Sequence, residues 1–294
     1  VTLLEISQGM EELATLKEVQ GSFTFPLEEK NAGPFLIRAT YQGVNYFKSV
    51  GPFQAKQKEV HEITVYDPVA DLDKAEISLP HLFIKRDQDK LMFIWNFEVK
   101  NPTSNTMHKP GGLFRVFIPD NVEELNVSAS SGSMPLRVDF TKDAQKNFFF
   151  VDYAIKPGKT TFQISYAVDY AQNAYTLEQK AVYPLAKVLT LVYPEDMQVE
   201  SDGLKEIQVD ANEHVKVMGW ENVRAGSDWK IKVSGGSKIA AAAAAEHSHA
   251  SHGAGDQQVV EKPPAIAGAR WLIWGLMAAG LGVRRLALPG RPAG

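Results

Sequence analysis

The chain has 294 residues, no cysteine, a net charge of −4 and a sequence pI near 6.0. The missing cysteines exclude disulfides, iron–sulfur clusters, Cys zinc sites and thiol nucleophiles together. The mildly acidic balance argues against a nucleic-acid partner, which needs a basic face. The length suits about two domains, and 44% hydrophobic and 10% aromatic residues suit sheets that bury one face.

The opening VTLLEISQGM has no initiator Met, no basic segment and no apolar leader. Val1–Ile6 already has strand composition, so we expect the chain to begin inside a domain, with upstream sequence, an export signal included, lying before it. Residues 1–68 are expected to form a small β-sandwich. Ser7–Ala14 is a mostly polar insertion and is expected as a loop. Thr15–Val19, a turn at Gly21 and alternating Phe23, Phe25 and Leu27 predict a further strand. Phe35, Ile37, Ala39 and Tyr41 alternate up to a turn at Gln42-Gly43, and Ile63 and Val65 are placed on a last strand before Asp67-Pro68.

The runs TLKEVQGSFTFPL and GPFLIRATYQGVNYFKS carry a family pattern, in which Gly21, Phe23, Phe25, Phe35, Ile37, Tyr41 and Gly43 occupy the characteristic places. Residues 1–68 thereby resemble the carboxypeptidase regulatory-like domain, a transthyretin-like sandwich found in many bacterial surface proteins. The resemblance implies a non-catalytic module and brings no active-site residue. The family's Gly-rich opening strand is missing before Val1. The wider arrangement resembles bacterial envelope proteins that carry such a domain, further β-structure and a C-terminal membrane segment, with no activity assigned to them.

Residues 69–234 hold about a dozen strand-like runs separated by turn signals, the pattern of an antiparallel sandwich or barrel. Ala75–Lys85 comes first, then Leu91, Phe93, Trp95, Phe97 and Val99 at alternate positions. Leu113–Ile118, Val122–Ser128 and Met134–Phe140 follow. In Asn147–Tyr170 the run Phe162, Ile164, Tyr166, Val168, Tyr170 gives one apolar face, because successive side chains of a strand point to opposite sides. Lys156-Pro157-Gly158-Lys159 has turn chemistry, and the segment is expected to form a central hairpin. Tyr175–Tyr183, Lys187–Tyr193, Lys205–Val209, His214–Met218 and Trp229–Val233 complete the region. The pattern is compatible with one large sandwich or with two subdomains that meet near Pro184.

Residues 235–264 form a low-complexity linker, with an Ala run over Ala240–Ala245 and the stretch EHSHASHG. Trp271–Val283 is uncharged, and its thirteen residues reach about 20 Å as a helix. Starting at Ala265 extends the span to nineteen residues and about 28 Å, against ~30 Å of hydrocarbon, with Arg270 snorkelling. Trp271 and Trp274 suit one membrane interface, and Arg284 and Arg285 suit a cytoplasmic end. Residues 265–285 are therefore expected as a transmembrane anchor, with 286–294 a short tail inside. Alternative readings are a sorting signal or an interfacial helix.

Candidate chemistry is sparse. His247, His249 and His252 could hold Zn²⁺ or Cu²⁺, but they stand in an Ala/Ser/Gly linker with nothing to orient the rings, which favours a solvated segment. Asp67, Asp71 and Asp73 lack the spacing of a calcium loop. No G-x-S-x-G, H-E-x-x-H or P-loop is present. Asn126-Val127-Ser128 is a formal glycosylation sequon, read as incidental. Tyr46, Phe47, Trp220 and Trp229 are candidates for carbohydrate or protein contact. Large aromatics are more often buried, so their placement as core edges carries more weight.

The expectation is an all-β chain: tandem antiparallel β-sandwiches, a flexible linker and one C-terminal transmembrane helix. Its function would be a non-enzymatic spacer or docking module outside the cytoplasm, in the periplasm or at the cell surface. No cofactor is expected. The partners are the membrane, through the C-terminal helix, and another envelope protein or a glycan. The alternatives are a carbohydrate-binding module and a periplasmic metal-handling protein.

Overall fold

A computed structural model of the chain describes residues 1–6, 10–26, 33–52, 60–132 and 135–238. The chain divides into two compact units, Val1–Ile239 and Ala240–Gly294, and the second lies outside the described residues. Every regular element among the described residues is a strand. In order they are β1 (Thr2–Glu5), β2 (Glu11–Thr15), β3 (Phe35–Tyr41), β4 (Val44–Val50), β5 (Pro68–Val69), β6 (Glu76–Asp87), β7 (Lys90–Asn101), β8 (Thr106–Met107), β9 (Phe114–Phe117) and β10 (Glu123–Ser130). Then come β11 (Leu136–Arg137), β12 (Phe140–Lys142), β13 (Phe148–Val151), β14 (Gly158–Asp169), β15 (Ala174–Lys180), β16 (Leu185–Tyr193), β17 (Met197–Glu200), β18 (Lys205–Asp210), β19 (Val215–Val223) and β20 (Asp228–Gly235).

β1 to β4 form a four-stranded antiparallel sheet in the order β2-β1-β3-β4. Leu3, Phe35, Ile37 and Val50 bury one cluster there, and Leu13, Phe25 and Ile63 pack against it. The β3–β4 hairpin closes at Gln42 and Gly43, both with positive φ (46° and 81°), the backbone of a two-residue hairpin turn.

Three expectations change in this region. The polar insertion contributes β2, because Leu13 reaches the core while its neighbours Glu11 and Glu12 face solvent at a sheet edge. Residues 16–26 and 60–67 make no regular strand. Phe23 and Phe25 stand edge to face at 5.6 Å, and Phe25 and Ile63 cover the cluster as side chains of irregular segments. Alternating apolar residues report which side is buried; whether a ladder partner lies alongside is a separate matter.

The larger part centres on an eight-stranded sheet, β11-β10-β14-β7-β6-β16-β19-β18. Its centre is the antiparallel run β6–β7–β14, in which β7 pairs with β14 from Lys90↔Asp169 to Asn101↔Gly158. One junction is parallel, β6 with β16. Two three-stranded sheets, β12-β13-β9 and β15-β20-β17, contribute to the same hydrophobic core. Phe114 of β9 stacks on Phe162 of β14 at 4.3 Å, and Trp229 of β20 meets Trp95 of β7 at 5.8 Å and Trp220 of β19 at 4.7 Å. The indole Nε1 of Trp95 donates to the Tyr166 hydroxyl at 3.1 Å, in the buried interior. Burial there holds the Tyr166 phenol protonated, far above its ordinary range.

The expected central hairpin is not formed. β13 has β9 on one side and β12 on the other, whereas β14 has β7 and β10. The segment between them crosses from one sheet to another, with Ile155 pinned to Met107 through reciprocal backbone hydrogen bonds of 2.9 and 3.0 Å. The run expected over Met134–Phe140 is split between β11 and β12, and the short β17 was not anticipated. Gly112 precedes β9 at φ 92°, and a Cβ placed there would lie 2.1 Å from the Val151 carbonyl oxygen. Only glycine lets the turn approach β13 that closely.

Tyr166→Phe is expected to lower stability by about 1–3 kcal/mol in urea denaturation, because the Trp95 indole N–H loses its acceptor inside the core. The fold should persist, since the ring packing is kept.

Candidate functional site

The four aromatic candidates separate into two places. Trp220 and Trp229 are 2% and 6% exposed, and they meet each other edge to face in the large core. Trp220 Nε1 donates to the Asp202 carbonyl at 3.2 Å. Their partners in the structure are protein groups, so neither ring offers a free face to a sugar. Tyr46 and Phe47 are consecutive on β4. Tyr46 is 3% exposed and Phe47 is 43% exposed.

Tyr46 joins the four-stranded sheet to the larger part. Its hydroxyl donates to the Tyr66 carbonyl at 2.9 Å, accepts the Tyr66 amide at 3.2 Å and lies 2.9 Å from Thr106 Oγ1. A phenol has one proton and two acceptor sites, so Thr106 is the donor in the last contact and every valence is used. Around it, Ala39 and Val44 are buried, with Tyr66 and Ala154 packed against them. The parallel bridge of β5 with β8 and the bond from the Thr106 amide to the Asp67 carbonyl at 3.0 Å complete the joint. Tyr41 donates to Asp67 Oδ1 at 2.9 Å. The Asp71 carboxylate accepts the Asp73 amide at 3.3 Å, which is turn chemistry.

Sequence reading missed Lys156, which completes this site. Its ammonium lies 4.8 Å from the Tyr46 ring centroid and 5.8 Å from that of Phe47, the geometry of a cation over aromatic faces. Among the described residues it has no carboxylate partner. Burial lowers its pKa from the ordinary lysine value. The expected turn at 156–159 hid this role, because turn residues are usually solvated.

A second cluster closes the last strand. Arg86 is 6% exposed and has no carboxylate partner among the described residues. Its guanidinium donates to the carbonyls of Gln88 (3.0 Å), Gly235 (3.1 Å) and Gly236 (2.5 Å), and to Asn173 Oδ1 (2.5 Å). It also stands 5.1 Å from the Tyr170 ring centroid, and the Tyr170 hydroxyl donates to the Gly235 carbonyl at 3.1 Å. Just beyond, the Ser237 hydroxyl donates to Asp196 and Lys238 pairs with Asp89 at 2.6 Å.

Elsewhere His214 Nδ1 lies 3.0 Å from Glu195, an exposed pair whose hydrogen bond keeps the Glu195 carboxyl below its ordinary range. Among the described residues no group of three His, Cys, Asp or Glu is placed to hold a metal. His247, His249, His252, Trp271, Trp274, Arg284 and Arg285 lie outside the described residues. No helix among the described residues is long and apolar enough to cross a membrane.

No family model matches this chain, and no curated protein matches it. Among solved structures, native leukotriene A4 hydrolase from Saccharomyces cerevisiae is similar with a TM-score of 0.34 and 12% identity, over 54% of this chain and 29% of that one. The M1 zinc metallopeptidase from Deinococcus radiodurans gives a TM-score of 0.28 and 14% identity, over 54% of this chain and 42% of that one. This chain thus spans less than half the length of either enzyme, and no chemistry is carried over from them.

Two outcomes are expected at the Tyr46 joint. Tyr46→Phe leaves the Tyr66 amide and the Thr106 hydroxyl without their partner and should cost about 1–3 kcal/mol. Amide exchange at Tyr66 should accelerate. Lys156 binds its proton less tightly when folded than when unfolded, so stability rises with pH between its lowered folded pKa and the ordinary lysine pKa. Lys156→Met should remove that part of the rise, read as the difference between the two proteins' urea midpoints at neutral and alkaline pH.

Proposed function

We propose that this chain is a non-enzymatic, membrane-anchored protein of the cell envelope, whose β domains stand outside the cytoplasm as a spacer or protein-docking module. In this reading residues 1–68 are a carboxypeptidase regulatory-like domain and 69–234 a larger sandwich region. The flexible linker, expected over 235–264, begins in this reading after Lys238, because Gly235 ends β20 and 236–238 are tied to the folded part; 265–285 is the transmembrane anchor and 286–294 a cytoplasmic tail. The single observation that supports it best is the closure at the end of β20. A spacer held by its C-terminal side needs a firm attachment where the folded part stops. Arg86 supplies one by binding the last two glycine carbonyls, Gly235 and Gly236, while Ser237 and Lys238 are tied to Asp196 and Asp89.

Burying a guanidinium is costly unless its donors are met. Here four acceptors and a tyrosine ring meet them, so the arrangement holds the strand end rather than leaving it to fray. The Tyr46 joint does the same between the first sheet and the rest. Together they tie the first sheet and the end of β20 to the larger part, as suits a rigid element on a tether.

Fractionation of cells that express the full chain tests the anchor. The full chain should sediment with membranes and resist alkaline extraction, and a form lacking 265–294 should be released. Release of the full chain by alkaline extraction would overturn the reading. Arg86→Met should leave membrane association intact while accelerating amide exchange at 235–238.

A further inference from the structure

We propose that the outer face of the eight-stranded sheet, turned away from the two three-stranded sheets, is a self-association surface on which a second copy of this chain docks face to face. This goes beyond the spacer reading and does not depend on membrane attachment.

Successive residues of a strand face opposite ways. Trp95, Leu82, Val192 and Met218 belong to the large core. Their chain neighbours Ile94, Phe83, Leu191 and Val217 therefore lie on the other face, and all four are partly exposed. The register sets them in one row across four strands, Ile94 beside Phe83, Phe83 beside Leu191 and Leu191 beside Val217. Met92 and Leu189 widen the row. Ile207 of β18, 55% exposed, extends it by lying over Gly219, where an added Cβ would come within 2.9 Å of its Cδ1. None of these side chains belongs to, or packs against, the hydrophobic clusters formed among the described residues. A contiguous apolar stripe on a sheet face gains by meeting a second apolar surface, and sheets do so face to face.

Two features make the occupant a second copy. The first is that the row matches itself. A two-fold axis along the strands, midway between β6 and β16, sets Ile94 over the partner's Val217 and Phe83 over the partner's Leu191. In the adjoining row it sets His81 over the partner's Leu189, and Asn96 over the partner's Gly219, where no side chain stands in the way. A closed dimer requires such a match, because one patch serves both subunits. The second feature is area. The six strands from β14 to β18 span about 24 Å, and the nine residues of β16 run about 30 Å. That gives roughly 700 Å² per copy and about 1,400 Å² in total, within the range of about 1,200–2,000 Å² found for specific interfaces. The rim carries both signs, Lys85 and Lys187 with Glu98 and Glu221, so it lacks the basic excess of a face that lies on anionic lipid.

The test uses the full chain in detergent, where sedimentation should give a dimer. The sequence has no cysteine, so Leu191→Cys carries a single thiol close to the two-fold axis, and a short bismaleimide should link two copies covalently. Thr176→Cys, exposed on β15, should stay unlinked. Leu191→Glu should raise the dimer dissociation constant at least about tenfold, because it places a charge from each copy in an apolar contact. Val217→Glu, on the neighbouring strand, should do the same, and both variants should keep the circular dichroism of the unchanged chain. A monomeric full chain would overturn the proposal, whether a monofunctional maleimide then reaches Leu191→Cys freely or finds it shielded from within the chain. A dimer that persists undiminished in both glutamate variants, or that gives no link at Leu191→Cys, places the contact elsewhere and overturns it as well.

Discussion

Inside the larger part, the Trp95 indole gives its N–H to the Tyr166 phenol while both rings are packed among aromatic neighbours. That contact sits on the face of the eight-stranded sheet against which the smaller sheets lie. The fold depends on what it represents: large rings brought from distant strands to one interior, where the Trp95 and Trp220 indoles find acceptors and the buried Trp229 Nε1 has none among the described residues. Phe114 on Phe162 and Trp229 against Trp95 and Trp220 tie both three-stranded sheets to the same face. Such pairs contribute about 0.5–1.5 kcal/mol each beyond the area they bury. They also set which strands lie opposite each other, because rings of this size fit only where the facing side chains leave room.

The same demand for partnered polar groups governs the two joints. Tyr46 brings a hydroxyl into the boundary between the first sheet and the larger part, where it finds two donors and one acceptor. Arg86 brings a charge to the end of β20 and finds carbonyls instead of a carboxylate. In each case a side chain from one segment satisfies backbone groups of another far away in sequence. That converts a desolvation cost into a specific attachment. At the first joint the Lys156 charge is met by the Tyr46 and Phe47 rings, as the Lys85 and Lys109 ammoniums lie over the Tyr193 and Phe150 rings.

Much of the strand content was legible. The two-residue beat of β7 and β14 put Phe93, Trp95, Phe162, Ile164, Tyr166 and Val168 on the buried side, and all are buried. The turn at Gln42-Gly43 was legible because positive φ has a residue signature. The hairpin at 147–170 was misread because Pro157-Gly158 reports a bend and does not report which strands lie on either side of it. The strand expected at Phe23 and Phe25 failed for a related reason: apolar alternation is shared by a ladder strand and by an irregular segment lying over a core. β2 was hidden by its glutamates, which belong to an exposed edge.

By itself the sequence determined that the described chain is built from strands, because side-chain alternation and turn chemistry are local properties of the backbone. It also determined which chemistries were closed to it, since no cysteine is present. Only the tertiary structure decided which strands pair, that Trp220 and Trp229 face inward, and that Tyr46, Thr106 and Lys156 meet. Those outcomes depend on contacts between residues many tens of positions apart. Such contacts are chosen by the fit of whole sheets against one another, which no short stretch of sequence encodes.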